Sequence, residues 1–276
     1  MIRILTLLEN QAGARKGLIS EHGLSFAVDV DGIRILFDCG GSESTVRNGR
    51  LLNVTPVSAD VLAFSHSHYD HAAGFPFLAE AGLRAKTVIG PHFFEEKYAA
   101  GGNGRYSYLG CGFSERELRE HSASVTVNEK TVRLTPRAAL ETSFPRICRW
   151  ETIPERFVKR TKSGLEPDDF EDEQCLALEL KDGLAVVTGC SHPGILNMVT
   201  EIRRRYQKPV TAVIGGIHLS GADSGRIERT VRELKAVGTK LMWCNHCSGS
   251  KVREIIERDP EITFEHLAAG DCVFLE

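Results

Sequence analysis

AFSHSHYDHAAGF, residues 63–75, places three of the chain's ten histidines and one aspartate within six positions. The apolar residues before this cluster predict a buried strand, and the residues after it predict a helix. Histidines at alternate positions of a strand end point to the same side, and imidazole and carboxylate are ligands that suit zinc and neighbouring metals. We therefore predict that His66, His68, Asp70 and His71 bind metal, the alternative being a polar loop that is merely rich in histidine.

Three apolar stretches in the C-terminal half also end in histidine, which predicts further ligands at strand ends. LAVVTGCSH ends at His192, TAVIGGIH ends at His218, and LMWCNHC contains His246. Cys190 lies two residues before His192, and thiolate is also a competent zinc ligand. The C-x-x-C spacing in CNHC has two alternative interpretations, a structural zinc knuckle or a redox pair, but no second C-x-x-C accompanies it.

Length, charge and composition restrict the class of protein. The 276 residues carry a net charge of −3, with 42% hydrophobic and 26% charged residues, as is usual for globular proteins. We expect no nucleic-acid partner because there is no basic excess, and no membrane partner because no apolar run reaches about 20 residues. The N-terminal residues do not resemble a signal peptide, so we predict a cytoplasmic protein whose eight cysteines are free thiols.

The order of predicted elements indicates a single α/β domain over residues 1–276. Hairpins come first, with a turn at Asp31–Gly32, and alternating strands and helices follow from Pro193 onward. SVTVNEKTVRLTP at 124–136 predicts one more hairpin.

Two less regular segments, near 100–125 and 146–174, are predicted to be excursions over the surface of this domain. The first is rich in glycine and tyrosine, and the second is polar and contains proline. We interpret the acidic pair Asp172–Glu173 at the end of the second segment as a solvated loop, the alternative being a metal ligand.

Motifs along nearly the whole chain resemble the metallo-β-lactamase superfamily. SHSHYDH is similar to the superfamily signature. TGCSHPGI, VIGGIHL, HCSG, LLEN, EHGLSFAV and ILFDCG resemble one subgroup, the 7,8-dihydropterin-6-methyl-4-(β-D-ribofuranosyl)aminobenzene-5′-phosphate synthase-like proteins. The resemblance implies an α/β fold of the αββα four-layer sandwich type, with two divalent metal ions at one edge between the sheets.

The resemblance also implies a ligand set for two metal ions. The implied ligands are His66 and His68 at the first ion and Asp70, His71 and His246 at the second. Where the superfamily has a bridging aspartate, this chain has Cys190, so either Cys190 replaces that carboxylate or it is structural and His192 completes the site. Asp38 in LFDCG would support the loop that carries the histidines.

The ligand set predicts a metal-dependent hydrolase, because a bound metal lowers the pKa of a water molecule towards about 7. Asp70 would orient this nucleophile, and His218 would contact the substrate and donate to the developing oxyanion or leaving group. A glutamate in the place of His68 would resemble the di-iron branch of the superfamily, so the resemblance implies zinc, with iron and manganese as alternatives.

The resemblance implies a small-molecule substrate, a pterin-type molecule that carries a phosphate. We predict that Arg105, Tyr106 and Arg149 in the irregular segments bind it, the arginines through the phosphate and the tyrosine through the planar ring. Two alternative functions are a nuclease of the same fold, which the acidic net charge disfavours, and a non-catalytic metal-dependent binding or sensing protein.

Overall fold

Two large sheets and one small sheet form the framework of the protein in the computed structural model, which describes residues 1–276. In spatial order, the strands of the first sheet are β18 (Cys272–Leu275), β1 (Ile2–Leu8), β2 (Ser25–Val30), β3 (Ile33–Phe37), β4 (Val61–Ala63), β5 (Lys86–Ile89) and β8 (Ser124–Val127). Those of the second are β17 (Thr263–Glu265), β16 (Leu241–Cys244), β15 (Val210–Gly215), β14 (Gly183–Thr188), β13 (Cys175–Leu180), β10 (Ala138–Glu141) and β9 (Thr131–Arg133). Those of the third are β12 (Gly164–Pro167), β11 (Phe157–Thr161), β6 (Lys97–Ala100) and β7 (Tyr106–Tyr108).

Seven α-helices accompany these sheets. They are α1 (Ser44–Leu51), α2 (Tyr69–Ala72), α3 (Phe75–Glu80), α4 (Glu115–His121), α5 (Ile195–Tyr206), α6 (Ser224–Ala236) and α7 (Ser250–Ile256). None of them combines the length and the apolar character that a membrane-spanning helix requires.

The two large sheets pack face to face, and helices cover both outer faces. In β1, Ile2 and Ile4 join the apolar cluster between the sheets, whereas Leu5 and Leu7 join the cluster beneath α1, α3 and α4. Successive side chains of a strand point to opposite faces, so a strand covered on both sides is apolar throughout. The second sheet packs in the same way against α5, α6 and α7. This arrangement confirms the predicted αββα sandwich.

The two segments predicted to be irregular contribute most of the third sheet. β7 comes from the first segment and β11 and β12 come from the second, and β6 joins them by pairing with both β7 and β11. These short strands have mostly exposed or half-buried side chains, so they lack the apolar pattern that indicates a core strand. The third sheet was therefore missed in the sequence.

The hairpin predicted over 124–136 is wrong, because its two strands belong to different sheets. β8 pairs in parallel with β5 in the first sheet, whereas β9 pairs with β10 in the second. Asn128 lies in the link between them, is buried, and donates through Nδ2 to Leu140 O and Gln174 Oε1. Alternation of residues identified both strands, but it carries no information on which strands pair.

The expected ligands, and His218 as an expected catalytic residue, follow the ends of strands from both large sheets. His66 comes shortly after β4, and Cys190, His218 and His246 come shortly after the parallel strands β14, β15 and β16. Parallel neighbours present their carboxyl ends at one edge of a sheet, where ligands are commonly bound. The fold therefore directs these segments to a common edge of the sandwich.

Candidate metal centre

One group of ring nitrogens comes from His66, His68 and His192, and these atoms lie within 4.8 Å of one another. His68 Nδ1 and His192 Nε2 are 3.3 Å apart. Two Zn–N bonds of about 2.0–2.1 Å at a tetrahedral angle would separate their nitrogens by about 3.3–3.4 Å. Burial lowers the pKa of all three imidazoles well below its usual value, which favours the neutral form that binds metal. His66 Nε2 is buried without a hydrogen-bond partner, so the donor set fits a metal ion.

A second group contains Asp70, His71, Cys190 and His246. His71 Nε2 and His246 Nε2 are 3.1 Å apart, and Asp70 Oδ2 lies 3.3 Å from His246 Nε2 and 3.8 Å from His71 Nε2. Cys190 Sγ is 3.3 Å from His71 Nε2. Two imidazoles, a carboxylate and a thiol fit zinc or a neighbouring first-row metal. The structure thus brings both Cys190 and His192 to the site. His192 belongs to the first group, whereas Cys190 Sγ lies beside His71 and within 4.8 Å of ligand atoms of both His66 and His71.

His22 joins the second group although the sequence analysis did not predict it. Its Nε2 atom lies 3.1 Å from Asp70 Oδ2, and its side chain is 59% exposed. The next residue, Gly23, packs so closely on α2 that a Cβ there would be 2.7 Å from Asp70 O. In the sequence, Glu21-His22-Gly23 contributed only to the family resemblance. Gly23 was the available signal, because a glycine allows its backbone to approach another segment closely.

Asp38 and Ser65 select the ring nitrogen that each neighbouring histidine presents to the site. His71 Nδ1 donates to Asp38 Oδ2 at 2.7 Å, which leaves Nε2 with its lone pair towards His246. Ser65 Oγ donates to Asp38 Oδ2 at 2.7 Å and accepts from His66 Nδ1 at 2.9 Å, which leaves His66 Nε2 free. One buried carboxylate therefore orients two predicted ligands, the supporting role expected for it.

Replacing Asp38 by asparagine should lower metal affinity by about 10–100-fold, the usual effect of losing a carboxylate that orients a ligand. The amide can offer an N–H to His71 Nδ1, which favours the tautomer whose Nε2 is protonated and cannot bind metal. Asp38 has φ +60°, a conformation that asparagine also tolerates. Competitive chelator titration measures the affinity.

The matched control is Asp31→Asn, an aspartate with φ +50° in the turn between β2 and β3. It lies on the surface and pairs with Arg137, so its replacement should leave metal affinity unchanged. Equal affinity in the Asp38 variant and the wild type would contradict the orienting role.

The interpretation of Asp172–Glu173 as a solvated loop is wrong, because both carboxylates are buried beneath the ligand loops. Asp172 Oδ2 accepts from Ser67 N at 2.9 Å, and Glu173 Oε2 accepts from His192 N at 3.0 Å. Burial raises the pKa of Glu173 well above its usual value. Buried Lys97 pairs with Asp172 at 2.5 Å, and this contact lets an acidic segment enter the interior.

Glu9 supports the last histidine loop in the same way. It follows β1 directly, and its Oε1 atom accepts from His246 N at 2.7 Å. Asp38 likewise follows β3 directly. An acidic residue immediately after an apolar strand was therefore a usable signal in the sequence, and it was applied only to Asp38.

A cavity of about 650 Å³ opens onto both groups of ligands. The predicted catalytic residues Asp70 and His218 both line it, as does Cys247. His218 Nδ1 is buried without a hydrogen-bond partner. Potential ligand atoms of Cys190, His218 and Cys247 form a further group within 4.8 Å of one another, so the cavity floor is rich in donors.

Arg105, Tyr106 and Arg149 do not line this cavity. All three are exposed, Tyr106 to the extent of 50%. Arg105 directly precedes β7, and Tyr106 is its first residue. The structure places Arg156 and Arg226 in the cavity wall instead. Composition located a polar surface segment, but it could not tell which of its side chains face inward.

The C-x-x-C sequence does not form a knuckle or a disulfide. Cys244 is buried on β16 in the apolar cluster beneath α5, α6 and α7, whereas Cys247 lies at the cavity. All eight cysteines are unpaired, in agreement with the predicted free thiols.

The fold and the donor set define a metallo-β-lactamase-type protein. The sequence model of the metallo-β-lactamase superfamily matches residues 21–114. The chain is 33% identical to the 7,8-dihydropterin-6-methyl-4-(β-D-ribofuranosyl)-aminobenzene-5′-phosphate synthase of Methanocaldococcus jannaschii, over 99% of this chain and 96% of that protein. The chain therefore belongs to the metallo-β-lactamase superfamily, as its motifs indicated.

Solved structures show the same architecture. Tm1679, described as a metal-dependent hydrolase of the β-lactamase superfamily, superimposes with a TM-score of 0.86 at 27% identity, over 100% of this chain and 99% of that one. Zn²⁺-bound PqqB from Methylobacterium extorquens shares the fold, with a TM-score of 0.51 at 13% identity over 99% of this chain and 100% of that one. Membership of the metallo-β-lactamase superfamily implies divalent metal binding, and the histidine-rich groups are the candidate positions here.

Proposed function

We propose that the protein is a metal-dependent hydrolase that acts on a small molecule with two divalent ions, zinc by preference. The observation that carries this proposal is that two pairs of buried imidazole nitrogens meet beside one cavity. His68 Nδ1 lies 3.3 Å from His192 Nε2, and His71 Nε2 lies 3.1 Å from His246 Nε2. A binding protein has no need of two adjacent donor sets that open onto the same cavity.

The two donor groups divide the ligands between two ions. The first ion would be held by His66, His68 and His192, and the second by Asp70, His71, His246 and Cys190. Such ions supply an activated water and polarise the substrate oxygen.

Two side chains at the cavity would act on protons. Asp70 Oδ2 is engaged by His22 and His246, so Oδ1 remains to orient the attacking water. His218 lines the cavity, and we assign to it the donation of a proton to the leaving group.

The substrate class comes from the M. jannaschii relative, whose name contains a dihydropterin and a ribofuranosyl 5′-phosphate. A cavity of about 650 Å³ falls within the range of about 300–1,000 Å³ that small-molecule sites occupy. We therefore assign to this chain a pterin-type or similar small molecule that carries a phosphate.

Removal of metal tests the proposal. The zinc-loaded protein should hydrolyse at least one member of a panel of phosphodiesters, phosphomonoesters and lactones, and chelation should abolish turnover because the nucleophile is lost. Re-addition of zinc, manganese or iron should restore it and identify the preferred metal. Tight binding of a pterin without any turnover would replace the hydrolase by a binding or sensing protein.

A further inference from the structure

We propose that Arg156 and Arg226 form a binding site for the phosphate group of the substrate, in the wall of the cavity that opens onto the candidate metal centre. This inference deepens the proposed function and rests on it for the identity of the substrate. The observation behind the site is that two cationic side chains line one cavity and that neither of them forms an ion pair within the protein.

Arg226 is the more buried of the two. It lies in the first turn of α6, and its Nε atom is buried without a hydrogen-bond partner. A buried donor without an acceptor costs free energy, and more when the donor is charged. An anionic oxygen in the cavity would supply the missing acceptor.

Arg156 directly precedes β11 of the third sheet, is exposed, and places its guanidinium over the ring of Phe157, 4.7 Å from the ring centroid. The neighbouring cations are already engaged within the protein. Arg146 donates to His192 O and Asp169 O, Lys159 pairs with Glu95 and Asp169, and Arg229 stacks on Trp150. These three cations also lie outside the cavity, so Arg156 and Arg226 are the arginines or lysines that line it and remain available for a ligand.

The rest of the wall fits a ligand with one apolar part and one anionic part. Ala99, Leu109 and Phe157 give the third-sheet side an apolar surface. Ser220 and Gly221, in the loop before helix α6, line the cavity on the side of Arg226.

Phosphate matches this site better than carboxylate does. Guanidinium groups bind phosphate oxygens through paired N–H donors. Two guanidiniums match the double charge that a phosphomonoester carries near neutral pH, whereas a carboxylate offers only one charge. The structure thus favours a phosphomonoester.

Calorimetric binding of ribose 5-phosphate and of ribose to the zinc-loaded protein tests the site. The wild type should bind the phosphorylated sugar at least about tenfold more tightly, and Arg156→Gln and Arg226→Gln should each weaken that binding about tenfold, the usual scale of a lost charge-assisted contact. Arg105→Gln and Arg149→Gln, which change exposed arginines outside the cavity, are the matched controls and should bind as the wild type does. Melting temperatures verify that each variant is folded.

Three results would overturn the inference. Unchanged binding in both cavity variants would place the phosphate on the metal ions alone, and no preference over ribose would remove the phosphate site. If glucuronate bound as tightly as ribose 5-phosphate, and through the same arginines, the site would be one for anions in general and not for phosphate. Failure of the hydrolase proposal is seen separately, as absence of turnover in the panel assay, and leaves this binding measurement interpretable.

Discussion

Replacing His68 by alanine should reduce bound zinc from about two equivalents to one or fewer and lower hydrolysis by more than about 100-fold. That figure is the upper end of what loss of a ligand-orienting group costs, and His68 would be a ligand itself. Its Nδ1 atom faces His192 Nε2 at 3.3 Å, so its loss removes one donor of the first group. Elemental analysis and the panel assay measure the two effects.

The metal content of Cys190→Ala, measured in parallel, shows whether Cys190 is a metal ligand or a structural residue. Its Sγ atom lies 3.3 Å from His71 Nε2, so we expect the second equivalent of metal to fall and the first to remain. His92→Ala is the control, because His92 is half exposed and pairs with Glu95 and Glu171 away from the cavity. No metal above background in the wild type would refute the central proposal, whereas loss in His68→Ala alone would leave Cys190 structural.

Replacing Lys97 by methionine should lower the free energy of unfolding by about 3–5 kcal/mol, the usual cost of breaking a buried ion pair by removing one partner. Lys97 is 1% exposed, and its Nζ atom lies 2.5 Å from Asp172 and 3.4 Å from Asp168. Methionine fills a similar space but leaves two buried carboxylates without their cation. Urea unfolding followed by circular dichroism measures the loss.

Lys235→Met is the matched control, since Lys235 also pairs with two carboxylates, Asp259 and Glu261, but lies at the surface. We expect it to change stability by less than about 1 kcal/mol. Adding Asp168→Asn and Asp172→Asn to Lys97→Met should recover part of the stability, because the uncompensated charges are then removed. Equal losses in the two lysine variants would show that burial does not set the effect.

The position of Lys97 also connects stability to the candidate site. Asp172 accepts from Ser67 N through one oxygen and from Lys97 through the other, and Ser67 lies between His66 and His68. The ion pair therefore supports the ligand loop from below, which the exposed-loop interpretation of Asp172 did not anticipate.

Local sequence was sufficient to single out the loops that carry the candidate ligands and to predict the class of fold. The pattern H-x-H-x-D-H follows an apolar run, and single histidines follow three later strands. Such short-range patterns can be interpreted without knowledge of distant contacts, because the end of a strand positions the next few residues directly. The same holds for the hairpin of β2 and β3, which turns at Asp31–Gly32, and for the helix predicted after Pro193, which is α5.

Features that depend on distant pairing were not accessible in this way. The third sheet joins strands from separate segments, the predicted hairpin divides between two sheets, and His22 reaches Asp70 across a long separation in sequence. Burial of Asp172–Glu173 depended on Lys97 in another strand. The presence of Arg156 and Arg226 in the cavity wall, rather than Arg105 and Arg149, depended on how distant segments fold around the cavity. A residue's type and its neighbours specify which chemistry it can perform, whereas the partners that neutralise, orient or expose it are chosen by packing between parts of the chain that are far apart in sequence.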